Sequence, residues 1–386
     1  MDGFKDNKNI ICIDATSLDT IARKRGIGIY VYNLLKGIQE RNSIEQNFTL
    51  LRFNKNSTDA MCQEWKMPLN HCPERLLWLA SAVFLKPFLL TKDIQLFHST
   101  HPYNVPISKY FKTIATVYDL IPLIFYDKYL KKKKINAKLS YKYQLRQLKK
   151  AYHLISISDQ TKNDCVEYLG IDENRVSTVH LAVDQNIFKK VGDTQSLETV
   201  RNKFSLSKKY FLFVGGADYR KNLERLLIAY STIAKMIDED LVLVGHWYPV
   251  WIKTLNCKLE QLKIKKRVKF LSFVNEDELT CLYSMSTALL FPSLYEGFGL
   301  PVLEAFSCQT PVLCSNNSSL IEIAKDCAVL VDPYQEGDIA QGILKIAQNE
   351  KLCQELSVNG YKRSKDFSIE KMTKETIKVY NRVLLS

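Results

Sequence analysis

Short apolar runs alternate with stretches of helical periodicity along most of the chain, the pattern of α/β domains built on parallel sheets. "IICID" at Ile10–Asp14 reads as a buried first strand. "GIYVYNLLKGIQER" then carries helical spacing through Tyr32, Leu35 and Ile38. "FTLLRF", "IQLFHST", "KTIATVYDL" and "HLISIS" follow as strands, each closed by polar residues or a turn, and "VSTVHLAVD" reads as the last strand of this half.

A polar stretch, "KKVGDTQSLETVRNKFSLSKK", comes next and is the linker candidate. The strand-helix rhythm restarts at "YFLFVGG" and runs on through "DLVLVGH", "VKFLSFV", "ALLFPS" and "TPVLCS". Two α/β halves of similar size, joined near residue 195, predict a cleft between them. The tail "IEKMTKETIKVYNRVLLS" is one amphipathic helix pattern, and periodicity alone leaves its packing partner open. A chain of 386 residues is long for one core, which agrees with two domains.

The apolar run Leu76–Leu85 lies between a Pro73-Glu74 helix start and an interruption at Lys86-Pro87. It falls well short of the roughly 20 residues a spanning helix needs. A buried or groove-lining helix is expected, with a monotopic membrane contact as the alternative.

The formal net charge of +13 points to anionic partners: nucleic acid, an anionic membrane surface or phosphorylated small molecules. Lys131–Lys134 opens a basic helical stretch that reads as a solvated face or as a surface for anionic lipid or a phosphate-bearing acceptor. No basic stripe interleaved with aromatics accompanies a nucleic-acid motif, so nucleic acid is not an expected partner. The ten cysteines include no C-x-x-C pair. Cys12, Cys308 and Cys314 lie in apolar stretches, so no zinc site and a reducing, cytoplasmic compartment are expected. The N-terminal "MDGFKDNKNIICID" has no basic-then-apolar signal pattern.

Two segments have the composition of an anion site. In "FLFVGGADYRKNLERLL" a strand ends at Gly215-Gly216 and a helix begins near Asn222, with Arg220 and Lys221 at the junction. Glycine lets a ligand approach the backbone, and helix-start N–H groups favour an anion. A helix end contributes roughly 0.3–1 kcal/mol, and charge-assisted hydrogen bonds roughly 1.5–3 kcal/mol each, so the two cations should dominate the binding of a diphosphate. In "FPSLYEGFGLPVLEAFS" a strand leads through the Gly297-Phe298-Gly299 turn to a helix start at Pro301, with the N–H groups of Gly299 and Leu300 available to a ligand. Glu296 precedes that helix and Glu304 sits about one turn inside it, so the two are not a close dyad. Each carboxylate suits a pair of hydroxyls, which makes polyols natural ligands, and neither need face the phosphates.

Other candidates are weaker. Gly26-Ile27-Gly28 resembles the opening of a dinucleotide fingerprint, but Val31 holds the third glycine position and no acidic residue follows at a strand end. His98 and His101 end a strand on the side where α/β sites form, so acceptor contacts and plain turn histidines both stay open. Asp238-Glu239-Asp240 matches a loose D-x-D metal pattern but precedes a strand, where a solvated turn is expected and metal is not.

"GGADYRKNLERLL" followed about 75 residues later by "FPSLYEGFGLPVLEA" resembles the family-4 glycosyltransferases of the GT-B fold, and the resemblance runs along the whole chain. It implies two Rossmann-like domains, here 1–195 on the acceptor side and 196–370 for the donor, with 371–386 as a last helix returning to the first domain. The family's phosphate-binding arginine and lysine match Arg220 and Lys221. Its glutamates separated by seven residues match Glu296 and Glu304. Gly28 would lie in a glycine loop closing over the donor, and Val274 near the nucleobase. Gly216, Gly297, Phe298, Gly299 and Leu300 would line the donor. Where many members carry His-Asp, this chain has Tyr118-Asp119, and "YDLIPL" resembles a subgroup rich in bacterial mannosyltransferases of surface-polysaccharide assembly. A phenol cannot carry a proton at neutral pH as imidazole does, so Tyr118 is expected as a sugar contact or wall.

The resemblance implies retaining hexose transfer from a nucleoside-diphosphate sugar to a glycan or lipid-linked acceptor. GDP-mannose is the favoured donor and UDP-hexose the alternative. No metal or other cofactor is expected, and a peripheral contact with the inner face of an anionic membrane is left open. Arg220, Lys221 and Glu296 are the expected catalytic residues. A nucleotide-sugar 2-epimerase and a non-catalytic nucleotide-sugar-binding protein are the rival readings.

Overall fold

The computed structural model describes residues 10–20, 23, 26–41, 47–53, 63–67, 83–101 and 105–386. The chain divides into two compact units, one of residues up to Ala182 together with Ile369–Ser386, the other Val183–Ser368.

In the first unit β1 (Ile10–Asp14), β2 (Asn47–Arg52), β3 (Gln63–Lys66), β4 (Leu96–Ser99), β5 (Lys112–Val117), β6 (His153–Ser156) and β7 (Val176–Thr178) make one parallel sheet, ordered β3-β2-β1-β4-β5-β6-β7. Its helices are α1 (Gly26–Gln39), α2 (residues 83–90), α3 (Ile121–Ile124), α4 (Tyr126–Tyr129), α5 (Ile135–Lys150) and α6 (Asp159–Leu169). Ile11, Cys12 and Ile13 of β1 are fully buried in succession, as a strand covered on both faces requires. One apolar cluster gathers Cys12, Leu51, Leu85, Leu89 and Phe97, and a second gathers Val117, Leu148, Leu154 and Cys165.

Two local expectations change here. Gly26-Ile27-Gly28 is the first turn of α1, because Tyr30, Val31, Leu34, Leu35 and Ile38 bury one continuous helical stripe; Tyr32 faces solvent. Helix α2 runs through Lys86-Pro87, since burial of Leu85 and Leu89 in one cluster outweighs the hydrogen bond that proline removes. The rest of the apolar segment, from Pro73 through residue 82, lies outside the described residues.

The second unit contains α7 (Thr194–Lys203), β8 (Tyr210–Val214), α8 (Leu223–Ile233), β9 (Asp240–Val244), α9 (Pro249–Gln261), β10 (Val268–Leu271), α10 (Glu276–Met285), β11 (Ala288–Phe291), α11 (Leu300–Ser307), β12 (Val312–Ser315), α12 (Ser318–Ala324), β13 (Val329–Val331), α13 (Glu336–Gln348) and α14 (Glu350–Ser364). Its six strands are parallel in the order β10-β9-β8-β11-β12-β13. The crossing into this unit falls at Val183, ahead of residue 195, because the polar stretch packs on the second unit. Lys190 Nζ donates to the Ser284 carbonyl at 2.7 Å, the Val191 N–H donates to Ser284 Oγ at 3.0 Å, and α7 packs on α10.

The last helix, α15 (Ile369–Leu385), returns to the first unit and packs on α1. Gly37 permits the approach, since a Cβ there would lie 2.0 Å from Thr373 Oγ1. Lys112 Nζ donates to the Val383 carbonyl at 2.9 Å and holds the far end.

Candidate functional site

In the second sheet the strand order reverses between β8 and β11, and ligands of open α/β sheets bind beyond the carboxyl ends of strands at such a point. The segments leaving those two strand ends carry the residues that composition singled out. Asp218 accepts from the Arg220 N–H at 3.1 Å and shapes a short turn holding Arg220 and Lys221. Asn222 takes the left-handed conformation at φ 58°, where asparagine is tolerated. Its amide nitrogen donates to the carbonyls of Pro292 and Pro333 at 2.9 and 2.7 Å. The Leu294 N–H donates to the Arg220 carbonyl at 2.7 Å, stitching the two loops together. Gly245, at the end of β9, is required by close approach, because a Cβ would lie 2.2 Å from the Gly215 carbonyl oxygen.

That stitching brings Glu296 onto both cations. Arg220 Nη1 donates to Glu296 Oε2, and Lys221 Nζ donates to Oε1 at 2.7 Å. Lys221 Nζ also lies 4.3 Å from the centroid of the Phe291 ring. Glu296 thus touches both cations assigned to the phosphates, a contact that its distance from them along the sequence does not call for. Burial pushes the Glu296 carboxyl up, but Lys221 and Arg220 more than offset it and hold it below its ordinary value. Burial lowers the Lys221 pKa, with Glu296 pulling it back.

Beside this triad the chain turns into α11. Gly299 sits at φ 123°, a conformation open to glycine, and a Cβ there would also meet Leu320 Cδ2 at 2.7 Å. The helix begins at Leu300, with Pro301 in its first turn. Among the described residues none accepts a hydrogen bond from the N–H of Gly299 or Leu300, the unsatisfied donors of a helix start. Ser319 Oγ donates to the carbonyls of Glu296 and Phe298 at 2.9 and 2.6 Å and holds the Gly297-containing turn. The Phe298 ring is buried, 6.0 Å from Phe367, so only its backbone is open to a ligand role.

Glu304, one turn into α11, accepts from the Tyr283 hydroxyl at 2.8 Å. Burial raises its carboxyl to about 7, with the phenol's hydrogen bond opposing and Glu276 adding to the rise. Gly216 follows β8 with space around its Cα. Val274 follows β10, between the exposed Phe273 and Asn275, the capping residue of α10. Asp238-Glu239-Asp240 is at the opposite, amino end of β9. There Asp240 pairs with Arg267, which also donates to the Glu239 carbonyl at 2.9 Å, a structural use of the acidic triplet.

In the first unit the sheet reverses between β1 and β4, and Tyr118 lies just beyond β5. Its hydroxyl donates to the Thr100 carbonyl at 2.8 Å and its ring packs edge-on to Tyr30 at 5.8 Å, so the phenol is engaged as a wall. Gly28 is buried in α1. His98 does not face an acceptor. It is fully buried, with Nδ1 2.6 Å from the Tyr380 hydroxyl and Nε2 2.8 Å from Thr116 Oγ1, and burial lowers its pKa to about 3. It is a neutral core histidine tying β4, β5 and α15 together. His101 lies past the end of β4, where burial lowers its pKa to about 4, and its carbonyl accepts from Ser99 Oγ at 3.0 Å.

The family model described as "Glycosyl transferases group 1" matches residues 196–363, and "Glycosyltransferase Family 4" matches residues 24–186. The chain belongs to the family-4 glycosyltransferases of the GT-B fold. Among relatives of this glycosyltransferase, the serotype-specific mannosyltransferase WbdA of Escherichia coli is 28% identical over 286 residues, 73% of this chain and 34% of that protein. The chain thus spans about a third of that relative's length. The O-antigen chain mannosyltransferase RfbU of Salmonella typhimurium is 26% identical over 70% of this chain and 69% of its own length. In fold the glycosyltransferase matches the sucrose-phosphate synthase of Thermosynechococcus elongatus, with a TM-score of 0.75 at 20% identity over 98% of this chain and 100% of that one. Anabaena HepE in complex with UDP and glucose matches with a TM-score of 0.71 at 14% identity over 97% and 99%.

Within the glycosyltransferase's second unit, Arg220, Lys221, Glu296 and the Gly299-Leu300 helix start converge at one switch point. Two residues with functional character escaped the reading of the sequence. Tyr283 holds Glu304. Asp14, last residue of β1, is fully buried with its Oδ1 taken by Thr16 and its Oδ2 without a partner among the described residues. Burial raises that carboxyl to about 6. Its signal in the sequence is an acid ending a buried strand, at the carboxyl edge where α/β sites form.

Proposed function

We propose that this chain is a retaining, metal-independent hexosyltransferase that moves mannose from GDP-mannose to a hydroxyl of a glycan or lipid-linked acceptor in surface-polysaccharide synthesis. The observation that carries the reading is the Arg220–Glu296–Lys221 cluster beside the unsatisfied N–H groups of Gly299 and Leu300. That set can hold a diphosphate. In the transition state the C1–O bond to the β-phosphate breaks and negative charge grows on the departing diphosphate, where fixed cations and N–H groups contribute about 10²–10³-fold per donor, by analogy with oxyanion holes. A C1–O bond to the acceptor forms on the same face, and the acceptor proton passes to the leaving phosphate oxygen. Glu296 orients the sugar hydroxyls, and Glu304 accepts from the ribose hydroxyls. Gly216 and Gly297 give room at the backbone, while Val274 lies toward the nucleobase. Mannose is favoured because relatives carry that activity in their names.

The experiment offers GDP-mannose, UDP-glucose and UDP-galactose, each with and without a glycan acceptor and with a chelator present throughout. Acceptor-dependent formation of an α-mannoside from GDP-mannose is expected. Conversion of the donor without acceptor would move the reading to an epimerase. Transfer only from a UDP-hexose would overturn the donor, and loss of transfer on chelation would overturn metal independence.

A further inference from the structure

Helix α5 presents a second surface with its own chemistry. Its inner face buries Gln144 and Leu148 and packs Leu145 against the apolar cluster that includes Val117 and Leu154. Its outer face carries Ile135, Leu139 and Tyr143, which are 76%, 61% and 53% exposed. Residues four apart stack on one side of a helix, so these three form a single apolar stripe two turns long. At 100° per residue, Lys142, Arg146 and Lys150 fall on the same outward arc, between and beside the apolar side chains. From residue 131 to 150 the chain contains nine Lys and Arg residues and no Asp or Glu. Among the described residues no carboxylate pairs with Lys142, Arg146, Lys149 or Lys150, whereas Lys131 pairs with Asp127 at 3.2 Å.

A helix face meant only for water would not turn Ile135 and Leu139 outward. Nucleic acid would satisfy the cations and leave the aliphatic side chains unrewarded. An anionic bilayer surface satisfies both, because apolar tips enter the boundary between headgroups and acyl chains while Lys and Arg stems lie along it with their charges among the phosphates. We propose that α5 docks the protein on an anionic membrane surface, lying in the interface plane on the Ile135–Leu139–Tyr143 stripe. The inference rests on the proposed function only in that a lipid-linked acceptor would be met at such a surface.

The test is co-sedimentation of the full chain with phosphatidylcholine vesicles and with vesicles containing about 30% phosphatidylglycerol, at low and high salt. The protein is expected to partition at least about tenfold more strongly to the anionic vesicles, and high salt should remove most of that difference. Lys142→Glu with Arg146→Glu should weaken partition about tenfold or more. Ile135→Ser with Leu139→Ser should weaken it several-fold with the salt dependence kept. All four side chains are exposed, so circular dichroism and transfer to a water-soluble acceptor should be unchanged in both variants. Equal partition to both vesicle types overturns the proposal, as does partition indifferent to both substitutions. Tighter binding of single-stranded RNA than of vesicles, sensitive to the charge variant and not to the apolar one, also overturns it. If the expected partition is found while no donor supports transfer, the docking surface stands and the proposed reaction falls.

Discussion

If Glu304 holds the ribose, as proposed, donor affinity depends on pH. The carboxyl is raised from 4.5 to about 7, chiefly by burial, with Tyr283 as its hydrogen-bond donor. Accepting two ribose hydroxyls requires the ionised form, whose charge-assisted bonds are about twice as strong as neutral ones. If only that form binds, the apparent Kd scales as one plus the protonated-to-ionised ratio. The penalty is then about elevenfold at pH 6 and about 1.1-fold at pH 8, roughly a tenfold span. Stability moves the other way. A raised carboxyl pKa favours the folded state fully below about pH 4.5, and that contribution is lost as pH rises through about 7. The shift of about 2.5 units corresponds to about 3 kcal/mol. The assay is calorimetric titration with intact nucleotide sugar, because a terminal phosphate would itself titrate near pH 6. Glu304→Gln should flatten the affinity profile and remove this residue's alkaline loss of stability. A wild-type affinity that is constant between these pH values, or a Gln variant that keeps the slope, would refute the reasoning.

Lys221→Ala should lower kcat/KM for transfer by about 10²–10³-fold with the fold intact, read from donor consumption alongside circular dichroism. Glu296→Gln leaves Arg220 and Lys221 without their carboxylate and should cost about 3–5 kcal/mol of stability. Nucleotide sugar should then raise the thermal midpoint more in this variant than in the wild type. His98→Ala should destabilise the protein by about 2–4 kcal/mol, since it opens a cavity and removes the His98 partner of the Tyr380 hydroxyl, while transfer per folded molecule stays unchanged. A selective loss of acceptor binding would restore His98 to a ligand role. Asp14 is raised from 3.8 to about 6, so its contribution to stability is full below about pH 4 and lost as pH rises through 6. Asp14→Asn should therefore gain up to about 3 kcal/mol over the wild type at neutral pH and nothing near pH 4, measured by chemical unfolding at both.

The strands and the donor-side loops were legible because their signals are local. A buried parallel strand is an uninterrupted apolar run, and glycine or proline punctuates its exit, so the ends of β8 and β11 could be read without a partner in view. Helix starts at Leu223 and Leu300 fell within a residue or two of expectation for the same reason. What escaped depended on long-range packing. Nothing near "FHSTH" signals that His98 meets Tyr380, 282 residues later, because the pairing exists only once α15 has returned to the first sheet. The glycine pair before "IYVYNLL" reads equally as loop or as first turn until Tyr30, Val31 and Leu34 find a core. The short strands β3 and β13 escaped because four residues, Gln63–Lys66, and three, Val329–Val331, carry too little alternation to stand out.

The position of Glu296 sharpens the chemistry more than any other difference. Two cations held side by side without an anion would repel each other at low dielectric, and each would bear its own desolvation. A carboxylate bridging Arg220 and Lys221 removes that repulsion and keeps both side chains directed toward one point. A diphosphate brings two negative charges and more acceptor oxygens than a carboxylate, so it can take over part of both interactions without moving either stem. Glu296 released from one cation then has acceptor capacity for sugar hydroxyls, in the loop beside the helix start that faces the same charge. In the proposed reaction one residue would hold the cations in geometry before the donor arrives and contact the sugar afterwards, with little side-chain ordering left to the binding step. It also explains why an acid belongs in the middle of an anion site, where charge counting alone would argue against it.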